Sequence, residues 1–376
     1  MTPKVTVLLA VHDGEPYVRQ ALESVLNQTF ADFELLVVDD ASTDRSVQIV
    51  ESLADDRLRL LRNERNVGQV PSLNRGLLEA RGEYVARMDA DDVCHPSRLE
   101  RQVAVLDAEP RVGLVGSWLR LIDERGRRVG GLREPLDDFA GYVYATLIMR
   151  VYVAHSAAMY RREAVLELGG YDESTGPSED KDLWRRLLLD RWDARNVRAP
   201  LVSYRLHDKQ LSQTRSAYQR EVDGESQERF LAALAPDVPV HPLRLLLAAG
   251  PAFWREDGEA ARQAVTPVLA GATERLGLSA DESRMLEQLV ARRIVRVAAR
   301  RPWRRDARAL IGDAMRRLEP AGRATASQAF LLEPLGEALR VSGHRAGRSG
   351  GLARVRARTR RLRIVRRLYG KVVGGG

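Results

Sequence analysis

The chain has 376 residues, 44% hydrophobic and 30% charged, the size of about two domains and the composition of an ordinary globular protein. Its single cysteine, Cys94, excludes a disulfide framework within the chain, and no window approaches the roughly 18–20 uninterrupted apolar residues of a membrane span. The net charge of +8 is uneven, −6 over residues 1–214 and +14 beyond, with 12 bases and no acid in residues 340–376, which points to two modules with different partners.

Residues 4 to about 90 alternate strand and helix. "KVTVLLAV" is a β-branched, apolar first strand, too short an apolar run for a signal segment; a cytoplasmic location is therefore expected. "EPYVRQALESVLNQ" puts Val18, Ala21, Leu22, Val25 and Leu26 at helical spacing, with Pro16 suited to the first turn. "FELLVVDD" is a second buried strand, and "STDRSVQIVESL" a helix for which Ser42 or Thr43 is an available N-cap. "RLRLLRN" alternates as a strand, "GQVPSLNRGLLEARG" is helical with Gly82 stopping it, and "EYVARMDA" is the fourth strand. This alternation predicts a parallel sheet with helices on both faces. Ligands of such sheets bind beyond the carboxyl ends of the strands. After residue 95 the pattern loosens. "PSRLERQVAVLDAEP" is a helix, "VGLVGSWLRLIDERG" a strand with a hairpin edge, and residues 161–190 read as helix, glycine-rich loop, helix. "VRAPLVSYRLHDKQLS" closes the unit with a strand and a polar turn, and residues 216–340 are Ala/Leu/Arg-rich and helical in character.

Acidic clusters stand at the predicted strand ends. Asp39 and Asp40 follow the second strand; Asp89, Asp91 and Asp92 follow the fourth. Like charges this close repel one another, and each is costly unless a cation or a hydrogen-bond donor meets it. A helix-capping turn explains Asp39-Asp40 as well as a binding site does, but "DADD" holds more acid than a cap needs. Hard divalent cations take carboxylate oxygens, and Mg²⁺ commonly uses one or two of them plus substrate phosphates. A metal–diphosphate site is the functional reading. Strand parity sets Arg87 on the same side as Asp89, within reach of the same ligand. Glu179 and Asp180 lie where a Gly/Pro/Ser loop turns into a helix carrying Leu183, Leu187 and Leu188. They either favour that helix start or supply a catalytic base on a loop that closes on its substrate. His207, His155, His95 and His12 say little singly.

In chain order, "VTVLLAVHDGEPYVRQALESVLNQTFADFELLVVDDASTD", "NVGQVPSLNRGLLEARGEYVARMDADD", "HSAAMYRREAVLELGGYDE", "EDKDLWRRL" and "YRLHDKQLS" make residues 4–214 resemble a family-2 glycosyltransferase of the bacterial cell-surface polysaccharide type. The resemblance implies an α/β, Rossmann-like GT-A fold, mostly parallel, over residues 1–214. Residues 1–95 would be the nucleotide-sugar-binding half and 96–214 the acceptor half, followed by a helical region at 215–340 and a basic tail at 341–376. It implies inverting, hexosyltransferase-type transfer of a sugar from a nucleotide-diphosphate sugar to a hydroxyl of a glycan or lipid-linked acceptor, with Mn²⁺ or Mg²⁺. Asp40 corresponds to the acid that hydrogen-bonds the nucleobase, with Asp39 beside it. Asp89 and Asp91 match the DxD pair, Asp89 towards ribose and metal and Asp91 as direct metal ligand. His207 falls where relatives place a histidine against the metal-bound diphosphate. Asp180 matches the general base and Glu179 its acidic neighbour. The chemistry asks for such a set, because in-line inversion needs one carboxylate to deprotonate the acceptor and a Lewis acid for the departing diphosphate.

The sequence departs from the family where the first strand ends His12-Asp13 instead of Tyr-Asn. Imidazole can still stack on a nucleobase, so the base preference stays open. Ser72-Leu73-Asn74 stands where relatives often have Ala-Arg-Asn, and the QxxRW signature of processive synthases is missing, which favours single-sugar transfer. Two other functions use parts of the pattern. A sugar nucleotidyltransferase carries a glycine-rich basic loop after the first strand, whereas "VHDGEPY" has one glycine and no Lys or Arg. A non-catalytic nucleotide-sugar-binding scaffold has no need of Asp89, Asp91 and Asp180 together. In the tail, "LARVRARTRRLRIVRRLYGKVV" sets Leu362, Val365, Leu368, Tyr369 and Val372 on one helical stripe among arginines. Such a helix suits an anionic membrane surface, making the protein peripheral on the inner face of the plasma membrane; a disordered basic tail is the other reading. No nucleic-acid partner is expected, because no recognition motif accompanies the charge.

Overall fold

The computed structural model describes residues 2–133, 138–208, 216–248, 258–299 and 305–319. The basic tail at 341–376 lies outside the described residues. The chain divides into two compact units between Phe230 and Leu231, later than the expected boundary at 214.

In the first unit β1 (Val5–Val11), β2 (Phe33–Asp39), β3 (Leu58–Arg62) and β4 (Tyr84–Asp89) run parallel in the order β3-β2-β1-β4. The connecting helices are α1 (Val18–Leu26), α2 (Ser46–Glu51) and α3 (Gln69–Glu79), with α4 (Arg98–Ala108) following β4. β1 and β2 are nearly unbroken runs of Val and Leu because both of their faces are covered. Val7, Leu9 and Val11 share a core with Val18, Leu22 and Val25 of α1 and Leu99 and Leu106 of α4. Each such side chain contributes about 1.5–3 kcal/mol on burial. On the other face Leu8 meets α3 so closely that a Cβ on Gly76 would stand 2.2 Å from Leu8 Cδ1. The expected cap at Ser42 or Thr43 does not form. α2 starts at Ser46, and the two residues are drawn across to β1 instead: Asp13 N–H donates to Ser42 Oγ (3.0 Å), and Thr43 N–H donates to Asp13 Oδ1 (2.7 Å).

Beyond β4 the strand directions change. β8 (Met159–Arg161) is antiparallel to β4, and β6 (Val112–Ile122) is antiparallel to β8. β9 (Asp193–Arg205) runs parallel to β6, β7 (Arg128–Arg133) is a hairpin partner of β6, and β5 (Val93–Cys94) closes the edge against β9. The β6–β9 register shifts on either side of the Trp118–Pro200 pair, where proline has no N–H for the ladder. The remaining helices are α5 (Phe139–Leu147), α6 (Arg162–Glu167), α7 (Glu179–Leu189) and α8 (Ser216–Leu234), with 3-10 turns at His155–Ala157 and Glu173–Ser178.

The described residues of the second unit are largely helical, as the composition predicts: α9 (His241–Ala248), α10 (Gly258–Leu276), α11 (Ala280–Ala298) and α12 (Arg305–Arg317). A capping box between Ser279 and Glu282 opens α11. Leu286, Val290 and Ile294 of α11 and Leu310 and Ala314 of α12 are buried at helical spacing. Among the described residues no helix is long and apolar enough to cross a membrane.

Candidate active site

The carboxyl ends of β1, β2 and β4 and the start of α7 carry the residues singled out above. At the β1–β2 end, His12 Nδ1 lies 2.9 Å from the Asp40 carbonyl oxygen, and the ring is partly exposed. Asp39 and Asp40 are both buried. Asp39 accepts weakly from Ser42 N–H at 3.3 Å. Asp40 spends its carboxylate on the loop after β3, accepting from Asn63 Nδ2 (2.8 Å), Val67 N–H (2.9 Å) and Gly68 N–H (2.8 Å). Its visible task is to order residues 63–68.

After β4 the acids converge. Asp89, Asp91 and Asp92 each offer an oxygen within 4.8 Å of the others. Asp89 and Asp91 are partly open, whereas Asp92 is wholly buried and accepts from Arg205 N–H at 2.8 Å. His207 Nε2 sits 2.8 Å from Asp91 Oδ2. Burial, then the charge of Asp89, pushes Asp91 up, and the same causes push Asp92 well up. Asp92 Oδ2 is buried without a hydrogen-bond partner. Crowded oxygens that resist ionisation and an orphaned buried oxygen fit a hard divalent cation, with Asp89 and Asp91 as its open ligands. A cleft of about 500 Å³ opens beside His207, lined also by Asp123, Arg125 and Asp208.

Arg87 is 2% exposed and forms an ion pair with Asp89. Its charge is also felt by Glu179 and Asp180, so one buried cation acts on both the strand-end acids and the acids of α7. Glu179 is buried, and burial followed by the charge of Asp180 pushes it up to about 8. Burial also raises Asp180, against the pull of Lys181, whose backbone N–H donates to Asp180 Oδ1 at 2.8 Å. His155 stands beside this pair: Nδ1 is 3.6 Å from Glu179 Oε1 and Nε2 is 3.0 Å from Tyr171 Oη. Burial pushes the imidazole well down, so it is neutral there.

Several supporting residues were not among the site candidates. Asn74 clamps the backbone of Tyr171 in both directions, Nδ2 to the carbonyl and Oδ1 from the N–H, each at 2.8 Å. Arg205 reaches Asp91 O (2.7 Å), Asp123 O (3.1 Å) and Gln20 Oε1 (2.7 Å) and lies over the Tyr17 ring. Arg98, fully buried, donates to Arg87 O at 2.7 Å and Ala158 O at 3.1 Å. The "HSAA" and "YRLH" blocks were the available hint: the first holds the Ala158 carbonyl that Arg98 fastens, and the second holds Arg205 itself.

The family model for glycosyl transferase family 2 matches residues 6–169. EpsE of Bacillus subtilis is 33% identical over 208 residues, 54% of this chain and 73% of that protein. WbnJ of Escherichia coli, an O-antigen biosynthesis glycosyltransferase, is 32% identical over 224 residues, 57% of this chain and 84% of that protein. Among solved structures, residues 1–349 of S. aureus TarS with UDP-GlcNAc align with a TM-score of 0.54 at 18% identity, over 86% of this chain and 92% of that one. That last likeness is one of fold, and the fold is the expected GT-A arrangement. At the identity and coverage of EpsE and WbnJ the kinship is closer than fold: the chain belongs to glycosyl transferase family 2.

Proposed function

We propose that the enzyme is an inverting, metal-dependent glycosyltransferase. It moves a single sugar from a nucleotide-diphosphate sugar to a hydroxyl of a glycan or lipid-linked acceptor in cell-surface polysaccharide or glycoconjugate synthesis. The observation that carries this reading is the pair of separate acid sites, Asp89 and Asp91 with His207 and Glu179 with Asp180, both under the charge of the buried Arg87. A single in-line displacement needs a base on one side of the sugar and charge stabilisation on the other. WbnJ, an O-antigen biosynthesis glycosyltransferase, supports a glycan product, and the TarS complex with UDP-GlcNAc supports a nucleotide-sugar donor.

Asp89 and Asp91 would hold Mn²⁺ or Mg²⁺, whose Lewis acidity supplies stabilisation for the leaving diphosphate. The chain's own side chains do the rest. His207 orients Asp91. Asp180 takes the proton of the acceptor hydroxyl, and its elevated basicity suits that transfer near neutral pH. Glu179 beside it retains a proton and offers a hydrogen bond rather than a second negative charge. At the other end His12 presents a ring face to the nucleobase, with Asp39 and the Asp40-ordered loop around it.

A panel of UDP- and GDP-sugars with Mn²⁺ or Mg²⁺, scored by release of the nucleoside diphosphate, tests the reading. One donor is expected to turn over, and chelation to stop it. Asp91→Ala is expected to abolish turnover with the circular dichroism spectrum intact. No turnover on any donor, or wild-type turnover in Asp91→Ala, sinks the proposal.

A further inference from the structure

We infer that Asp223, on α8, is a positioning residue for the base: it fixes the helix that presents Asp180 and holds the neighbouring Lys181 in an ion pair of its own. The inference rests on the reading of Asp180 as the base.

The first turn of α7 carries Glu179, Asp180, Lys181 and Asp182 in succession. Lys181 Nζ donates to Asp223 Oδ2 at 2.6 Å and Arg185 Nη2 to Asp223 Oδ1 at 2.5 Å. Asp223 is 2% exposed and Arg185 3%. A buried carboxylate held between two cations is hard to remove, because its loss strands charge away from water. The same helix grips α7 and its approach at other points. Gln219 Nε2 donates to Pro177 O (2.6 Å), Ser178 Oγ donates to Gln219 O (3.1 Å) and Ser226 Oγ donates to Asp182 Oδ1 (2.7 Å). The loop so pinned contains Gly176 at φ 46°, a conformation other residues rarely adopt.

An ordinary helix-to-helix ion pair would account for stability alone. What distinguishes this one is its place beside Asp180. The charged groups acting on that carboxylate are Lys181 and Arg87, which favour its ionised form, and Asp223, which opposes them; Asp180 and Glu179 also repel one another. With Asp223 holding Lys181, the amine beside the base has an ion pair of its own. Without it, Lys181 is released next to Asp180, and the base becomes both misplaced and weaker.

The test uses the full chain and the donor found in the panel, with water standing in for the acceptor hydroxyl. Asp223→Asn is expected to lower kcat about 10²-fold, the loss typical of a small misplacement of a reacting group, with donor KM unchanged. The acid limb of the kcat–pH profile should move to lower pH. Asp223→Glu, which keeps the carboxylate, should recover most of kcat. Adding Lys181→Met to Asp223→Asn removes the released cation along with its lost partner. It should return the acid limb to its wild-type position while kcat stays below wild type. This double variant also carries the test if Asp223→Asn does not fold. A wild-type kcat and acid limb in Asp223→Asn, or a wild-type kcat in the double variant, overturns the inference. So does a loss that appears in donor KM alone and is not recovered by Asp223→Glu. Asp180→Asn separates the two readings: wild-type turnover there removes the base assignment itself, whereas an inactive Asp180→Asn beside a wild-type-like Asp223→Asn removes only the role of Asp223.

Discussion

Glu179 keeps its proton to a pH at which carboxylic acids are normally ionised. Burial and Asp180 push it up to about 8 from an ordinary 4.5, and the neutral His155 at 3.6 Å does not offset them. In the unfolded chain the group ionises near 4.5, so between about 4.5 and 8 the folded state holds more protons. Its contribution to stability is therefore fully present below 4.5 and lost as pH rises through 8. Glu179→Gln, which cannot ionise, should narrow that loss, gaining stability relative to wild type between pH 5 and pH 8.5 in urea melts. An equal offset at both pH values would mean that Glu179 is already charged in the folded protein. At this scale the candidate acids were the legible residues, because acids crowded at a strand end or a helix start are costly without a purpose. Asn74, Arg98 and Arg205 were not. Each acts on backbone carbonyls or amides far away in sequence, and that leaves no local pattern.

The first four strands and their helices could be read from the sequence because the strands are short, largely apolar runs and α1 and α3 carry a periodic apolar face. β5, of two residues, and β8, of three, could not. They are too short to show a period, and their pairing is imposed by neighbours. The loop after α6 depends likewise on a remote partner, the amide of Asn74 on α3. Asn74→Ala leaves both the N–H and the carbonyl of Tyr171 without that partner, at a cost of about 1–3 kcal/mol for an unsatisfied buried group. The urea midpoint should fall accordingly. kcat should fall with it, since Tyr171 is the hydrogen-bond partner of His155 beside Glu179. An unchanged midpoint and rate would make the clamp incidental.

At the scale of the whole molecule, the α/β unit holds every candidate catalytic residue, and the helical unit, predicted only as helix-rich, carries no assigned site. The concentration of charge in residues 340–376, 12 bases without an acid, is the remaining sequence feature with a functional expectation. Each Lys or Arg near an anionic bilayer contributes about 1 kcal/mol. The full chain should therefore sediment with phosphatidylserine-containing vesicles at low salt, and a chain ending at Arg340 should not. Equal sedimentation of the two would remove the tail from membrane attachment.

The bond from Arg205 N–H to Asp92 spans 113 positions, and that from His207 to Asp91 spans 116. A ribosome delivers the acidic turn after β4 long before it delivers these partners. Until β9 emerges, three mutually repelling carboxylates have nothing from that strand to hold them in place. The newly made half-chain thus carries the parallel strands but not yet the partners that hold Asp91 and Asp92. On the proposed reading, sugar transfer waits for the last strand of the α/β unit, and a message truncated before that codon is expected to yield a protein without turnover.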